Sequence, residues 1–148
     1  NVNTIKVLIK NGASLNLKDK FGKSALVYCV NKDQIEATEF LLIHQPEVDS
    51  LDKFEWTPLM WAVKKDYFEI IKLLVKYKAN INHKDDEGTP IIQYAVENES
   101  IEVVKFLIEK GVDINVTDQY GLSPLVYALK TKNKEIVELI RSAGGEYW

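Results

Sequence analysis

The sequence predicts an all-α solenoid: a stack of short helix pairs joined by hairpin-like turns. Three observations predict it. Asp19, Asp52, Asp85 and Asp118 recur every 33 residues, opening the phrases Asp19-Lys-Phe-Gly, Asp52-Lys-Phe-Glu, Asp85-Asp-Glu-Gly and Asp118-Gln-Tyr-Gly. A strict period of about 20–50 residues is the mark of units that bury their apolar faces only against their neighbours. Helix-start signals and a column of small residues follow each aspartate in the same phase. The spacing divides one domain over residues 1–148 into a half repeat, 1–18, and four repeats, 19–51, 52–84, 85–117 and 118–148.

Each repeat reads the same way. Thr57-Pro58 and Ser123-Pro124 open a first helix, since the hydroxyl caps free N–H groups and Pro at the first turn has no N–H to lose. Ser24-Ala25 is a weaker copy. Leu26, Leu59, Ile92 and Leu125 follow, then the small residues Cys29, Ala62, Ala95 and Ala128, which let neighbouring helices approach. Polar breaks come next at Asp33-Gln34, Asp66-Tyr67, Glu99-Ser100 and Lys132-Asn133. The second helix shows apolar residues at helical spacing, as in Ile70, Ile71, Leu73 and Leu74, or Val103, Val104, Phe106 and Leu107. Gly111 and Gly144 end it in the left-handed conformation that glycine tolerates. Segments such as Val112-Asp-Ile-Asn115 then lead to the next aspartate as one arm of a hairpin.

These residues resemble the ankyrin repeat over the whole chain. The pattern is carried by Gly22, Gly88 and Gly121, by Thr57-Pro58-Leu59 with Ala62, and by Glu69-Ile-Ile-Lys-Leu-Leu. Asn11-Gly-Ala-Ser-Leu-Asn16 and Lys110-Gly-Val-Asp-Ile-Asn115 complete it. The resemblance implies a curved ankyrin-repeat solenoid of stacked antiparallel helix pairs, with β-hairpin loops projecting at right angles to the helices. The departures carry expectations too. Val27, Met60, Gln93 and Val126 stand where the family has a histidine, so that polar lock is missing. Thr89-Pro90 falls one residue early, which predicts a distorted third start. Gln45-Pro46 replaces Gly-Ala, Lys78 replaces Gly, and Ala37-Thr38 replaces a bulky aliphatic pair. Residues 45–51 are therefore expected to be the loosest joint. The array reads as finished at Trp148 and unfinished at Asn1, where more chain is expected to precede.

Composition narrows the function classes. The formal net charge is −3, and 18 lysines accompany one arginine, Arg141. Bidentate reading of phosphate or guanine favours arginine, which weakens a nucleic-acid reading, and the acidic repeat 85–117 makes single-stranded nucleic-acid binding a poor one. Lone Cys29 offers neither a disulfide framework nor a cysteine metal cluster and reads as a packed, inert thiol. No apolar run approaches the ~18 residues of a membrane span. His44 and His83 lack metal-ligand spacing, Asp85-Asp86-Glu87 lacks the spaced oxygens of a calcium loop, and no glycine loop cradles phosphate. Asn16, Asn82 and Asn115 match a family position open to hydroxylation, but bracing of the hairpins is the stronger expectation. The reading is a non-catalytic, intracellular and cytoplasmic monomer with no cofactor, metal, small-molecule substrate, nucleic acid or membrane insertion.

The resemblance places partners on the concave face, formed by hairpin tips and first helices. On the tips it implies Phe21, Lys23, Lys53, Phe54, Trp56, Tyr120 and Leu122, and on the helices Lys64 and Lys65. Tyr28, Trp61, Tyr94 and Tyr127 form a further column 33 residues apart. Trp and Tyr dominate interface hot spots, so this column reads either as a binding ladder or as packing between first helices. Residues 52–84 carry seven Lys against four acids, and residues 85–117 carry two Lys against eight. Such a division would orient a partner of opposite pattern. The expected function is a protein or peptide binding module. The alternative is the targeting or inhibitory arm of a larger enzyme or secreted effector.

Overall fold

The computed structural model describes residues 2–147. Asn1 and Trp148, where the sequence places the ends of the array, lie outside the described residues. The helices run α1 (Val2–Lys10), α2 (Ala25–Asn31), α3 (Ile35–Ile43), α4 (Pro58–Lys64), α5 (Phe68–Lys76), α6 (Ile91–Glu97), α7 (Ile101–Glu109), α8 (Pro124–Thr131) and α9 (Lys134–Ser142). They form an all-α repeat solenoid. The chain divides into two compact units, one ending at Asn80 and the other starting at Ile81.

A left-handed polar residue turns the chain between the helices of each pair: Asp33, Asp66, Glu99 and Lys132 have φ of 51°, 59°, 55° and 63°. In the first unit, α2 packs on α3 and α4, and α3 packs on α5 and α1. Its core holds Leu26, Leu41, Leu42, Leu59, Ile70, Ile71 and Leu74, with small Cys29 and Ala62 where α2 meets α4. In the second unit, α6 packs on α7 and α8, and α9 closes on both α7 and α8. Ile91, Ile92, Val104, Leu107, Leu125, Ile136 and Ile140 are buried there, again with small residues, Ala95 and Ala128. Each buried aliphatic side chain contributes about 1.5–3 kcal/mol. In contrast, α1 buries none of its residues, and Val7 and Leu8 are exposed.

Among the described residues the loops are hairpins held by turns rather than by strands, with two isolated antiparallel bridges, Lys18 with Ser24 and Lys84 with Pro90. Side-chain staples join successive hairpins. Asn16 Oδ1 accepts from Glu47 N at 2.9 Å and Asp49 Oδ1 from Asn80 N at 2.9 Å. Asn82 Oδ1 accepts from Asp113 N, and Asn115 Oδ1 from Glu146 N, both at 2.8 Å. Bracing, the stronger expectation for these asparagines, is what the geometry contains.

Three details differ from the sequence reading. The third start is not distorted: α6 begins at Ile91, in phase with Pro58 and Pro124. Pro90 occupies the cap position with extended backbone, φ −76° and ψ 152°, and has no side-chain cap bond. Its early placement thus removes a hydroxyl and leaves the register intact. Ser123 does not cap α8 either. Its hydroxyl donates to the Glu146 carbonyl at 2.5 Å, while Val126 N turns to the Ser123 carbonyl. Thr57 does cap, accepting from Met60 N at 3.2 Å, as does Ser24 from Val27 N at 3.4 Å. The third detail is a polar lock, built from groups other than the absent histidine.

Candidate partner-binding face

The lock starts at the repeat aspartates. One carboxylate oxygen of each accepts two backbone N–H groups of its own loop. Asp19 Oδ1 takes Phe21 N and Lys23 N at 2.8 and 2.9 Å, and Asp52 Oδ1 takes Phe54 N and Trp56 N at 2.9 and 3.1 Å. Asp85 Oδ1 takes Glu87 N and Thr89 N at 3.0 and 2.9 Å, and Asp118 Oδ1 takes Tyr120 N and Leu122 N at 2.9 and 3.0 Å. The other oxygen accepts from the aromatic residue nine positions later on the first helix. Tyr28 hydroxyl donates to Asp19 at 2.5 Å, Trp61 Nε1 to Asp52 at 2.9 Å and Tyr94 hydroxyl to Asp85 at 2.5 Å. Tyr127 hydroxyl donates to Asp118 in the same way. Each hairpin is thereby tied to its own first helix. Bonds to a charged acceptor are worth about 1.5–3 kcal/mol when sheltered.

Protonation follows this geometry. The Tyr28 hydroxyl and the loop N–H groups hold the Asp19 carboxyl below its ordinary range. Burial pushes Asp118 upward, but Tyr127 and the Leu122 and Tyr120 amides outweigh it and the net shift is downward. The hydrogen bond to Asp19 raises Tyr28. Burial, then the bond to Asp85, raises Tyr94. The bond to Asp118 and burial push Tyr127 up to about 12. Burial also raises the Cys29 thiol, consistent with an inert packed cysteine.

The aromatic column thus divides its rings between the lock and the surface. Tyr94 is buried, Trp61 and Tyr127 are half-buried and Tyr28 is exposed. In the first unit the tip residues converge. Phe21 and Phe54 are 41% and 48% exposed. Lys53 Nζ stands 4.9 Å from the centroids of both rings, and Lys20 Nζ lies 5.0 Å from that of Phe21. Trp56 packs against Trp61 at 4.8 Å, and Lys23 Nζ lies 4.4 Å from the Trp61 ring. Trp56 therefore braces the lock as well as lining the surface. Lys64 and Lys65 are exposed at the C-terminal end of α4. Gly22 makes the close approach of two tips possible: at φ 75°, a Cβ there would stand 2.9 Å from Lys53 N.

In the second unit, Tyr94, Tyr120 and Tyr127 line a recess of about 210 Å³ with Glu87, Gln93 and Glu97. Leu122 is half-buried beside its hairpin. Gln93 went unranked as a site residue in the sequence. The signal was present, because Val27, Met60 and Val126 are apolar at the same repeat position. No group of three or more potential metal-ligating side chains occurs among the described residues. No described helix is long and apolar enough to cross a membrane.

A search of curated proteins finds no match. A family profile described as ankyrin repeats (3 copies) matches residues 1–85 and again residues 79–147. Repeated helix pairs, in-phase hairpins and this coverage lead to one assignment: the chain belongs to the ankyrin-repeat family.

Proposed function

We propose that the chain binds a protein or peptide on the face built from hairpin tips and first helices. Ankyrin repeats are in general protein–protein interaction modules, which supports the coarse reading. The observation carrying the finer one is the exposed pair Phe21 and Phe54, bracketed by Lys53. Core packing does not explain two half-open phenyl rings on loop tips, whereas hot spots combine such rings with flanking charge. The expected partner offers apolar side chains to the rings and carboxylates to the lysines. Binding is favoured by preorganisation, because the aspartates have already ordered the loops that present the rings. The role is recognition without chemistry on the partner.

The test is capture from source-cell extract by the wild-type chain and by a Phe21→Ala/Phe54→Ala variant, followed by titration of the purified captured protein. Both rings are exposed, so the variant keeps its circular dichroism spectrum. Loss of binding by at least tenfold supports the proposal; equal binding by both chains rejects it.

A further inference from the structure

We propose that the recess of the second unit accepts the guanidinium of an arginine side chain on the bound peptide, an inference that rests on the binding reading above. The floor of the recess is Gln93, a polar side chain 6% exposed. Its Nε2 donates to Glu97 Oε1 at 3.0 Å. That bond sets the orientation of the amide, since the reverse orientation would place its carbonyl against a carboxylate. Oε1 is left buried without a hydrogen-bond partner. Buried side-chain acceptors are rarely left unmet, and the first unit avoids the problem by placing Met60 at the equivalent position.

The surrounding groups say what would meet it. Glu87 and Glu97 supply carboxylates. Tyr94 and Tyr127, whose hydroxyls donate to Asp85 and Asp118, wall the recess with their rings. The ring of Tyr120, 75% exposed, stands at the lip. The site therefore sets one buried unmet acceptor beside carboxylates and between aromatic walls. Residues 85–117 reinforce its sign with eight acids against two lysines. A guanidinium matches on every count: five donors in a plane, permanent charge, weak hydration and a face that stacks on phenol rings. An ammonium has three donors and holds its water more tightly. Lys130 covers the Tyr127 ring at 4.5 Å, and Oε1 stays unmet.

The experiment titrates the ¹⁵N-labelled chain with the capped tripeptide acetyl-Gly-Arg-Gly-amide, beside analogues carrying citrulline or lysine. The expected result is saturable movement of the Gln93 side-chain amide and of the Glu97 and Tyr120 backbone signals with arginine. Citrulline should bind at least tenfold more weakly. Gln93→Met, which installs the residue of the first unit, should keep the fold and weaken arginine binding about tenfold. No saturable movement, equal binding of citrulline or lysine, or full affinity in Gln93→Met overturns the inference. If arginine fails while Phe21→Ala/Phe54→Ala still abolishes partner capture, the arginine inference falls and the binding reading stands. If arginine binds and that double variant captures its partner normally, the binding reading falls.

Discussion

At the scale of single residues, the aspartate–aromatic bond can be separated from the ring that makes it. Trp61→Phe keeps an aromatic body but deletes the N–H that Asp52 accepts. The expected loss is about 1–2 kcal/mol, read from urea melts. Gln93→Met removes a buried unmet carbonyl but also the Nε2 bond to Glu97, so its stability should stay within about 1 kcal/mol of wild type. The locks also make stability depend on pH at both ends. Asp19 and Asp118 titrate lower when folded. Their contribution is present above the unfolded carboxylate value of about 3.9 and is lost as pH falls through their lower folded values. Tyr127 titrates higher when folded, at about 12. Its contribution is complete below the unfolded value of about 10 and is lost as pH rises from there to about 12. Melts in Tyr127→Phe should therefore fall less steeply across that alkaline window than in wild type.

The helix and loop elements show where the repeat is imperfect. Gln45 and Lys78 adopt φ of 56° and 69° at the positions held by Gly12, Gly111 and Gly144 in other repeats. Left-handed backbone costs a non-glycine residue about 1 kcal/mol. Lys78→Gly should recover about that much in thermal melts. The joint after α3 has a further burden, because Ser50 Oγ is buried without a partner, as is Thr38 Oγ1 within α3. Amide exchange across residues 45–51 should accordingly exceed that of Ile70 to Leu74; equal protection would reject the weak-joint account. Pro90→Thr, which restores a capping oxygen to α6, should add about 1 kcal/mol.

For the molecule as a whole, the 33-residue period made the helix pairs legible, since every apolar and small column kept phase. The lock was legible only in part. Its clue was composition: Tyr, Trp, Tyr and Tyr all carry a donor, whereas a column chosen for packing alone would also admit Phe. Spacing could not reveal that a nine-residue separation brings hydroxyl and carboxylate together, because a hairpin and a helix start intervene. Nor could it separate Trp56, which leans on Trp61, from exposed Phe54. The recess was least legible, because one glutamine in an apolar column acquires meaning only from the orientation of its amide. Contacts that reach only neighbouring elements also localise damage. Leu107→Ala, emptying a buried site in α7, should cost about 2–5 kcal/mol. Lost exchange protection should concentrate in α6, α7 and α9, with α1 and α3 spared.

The carboxylates hold their loops through backbone N–H groups, and tip side chains such as Phe21, Phe54, Glu87 and Tyr120 take no part in those bonds. The tips are thus a vocabulary laid over a fixed grammar. Selection, or a protein engineer, could rewrite them while the clasp that shapes each loop stays as it is.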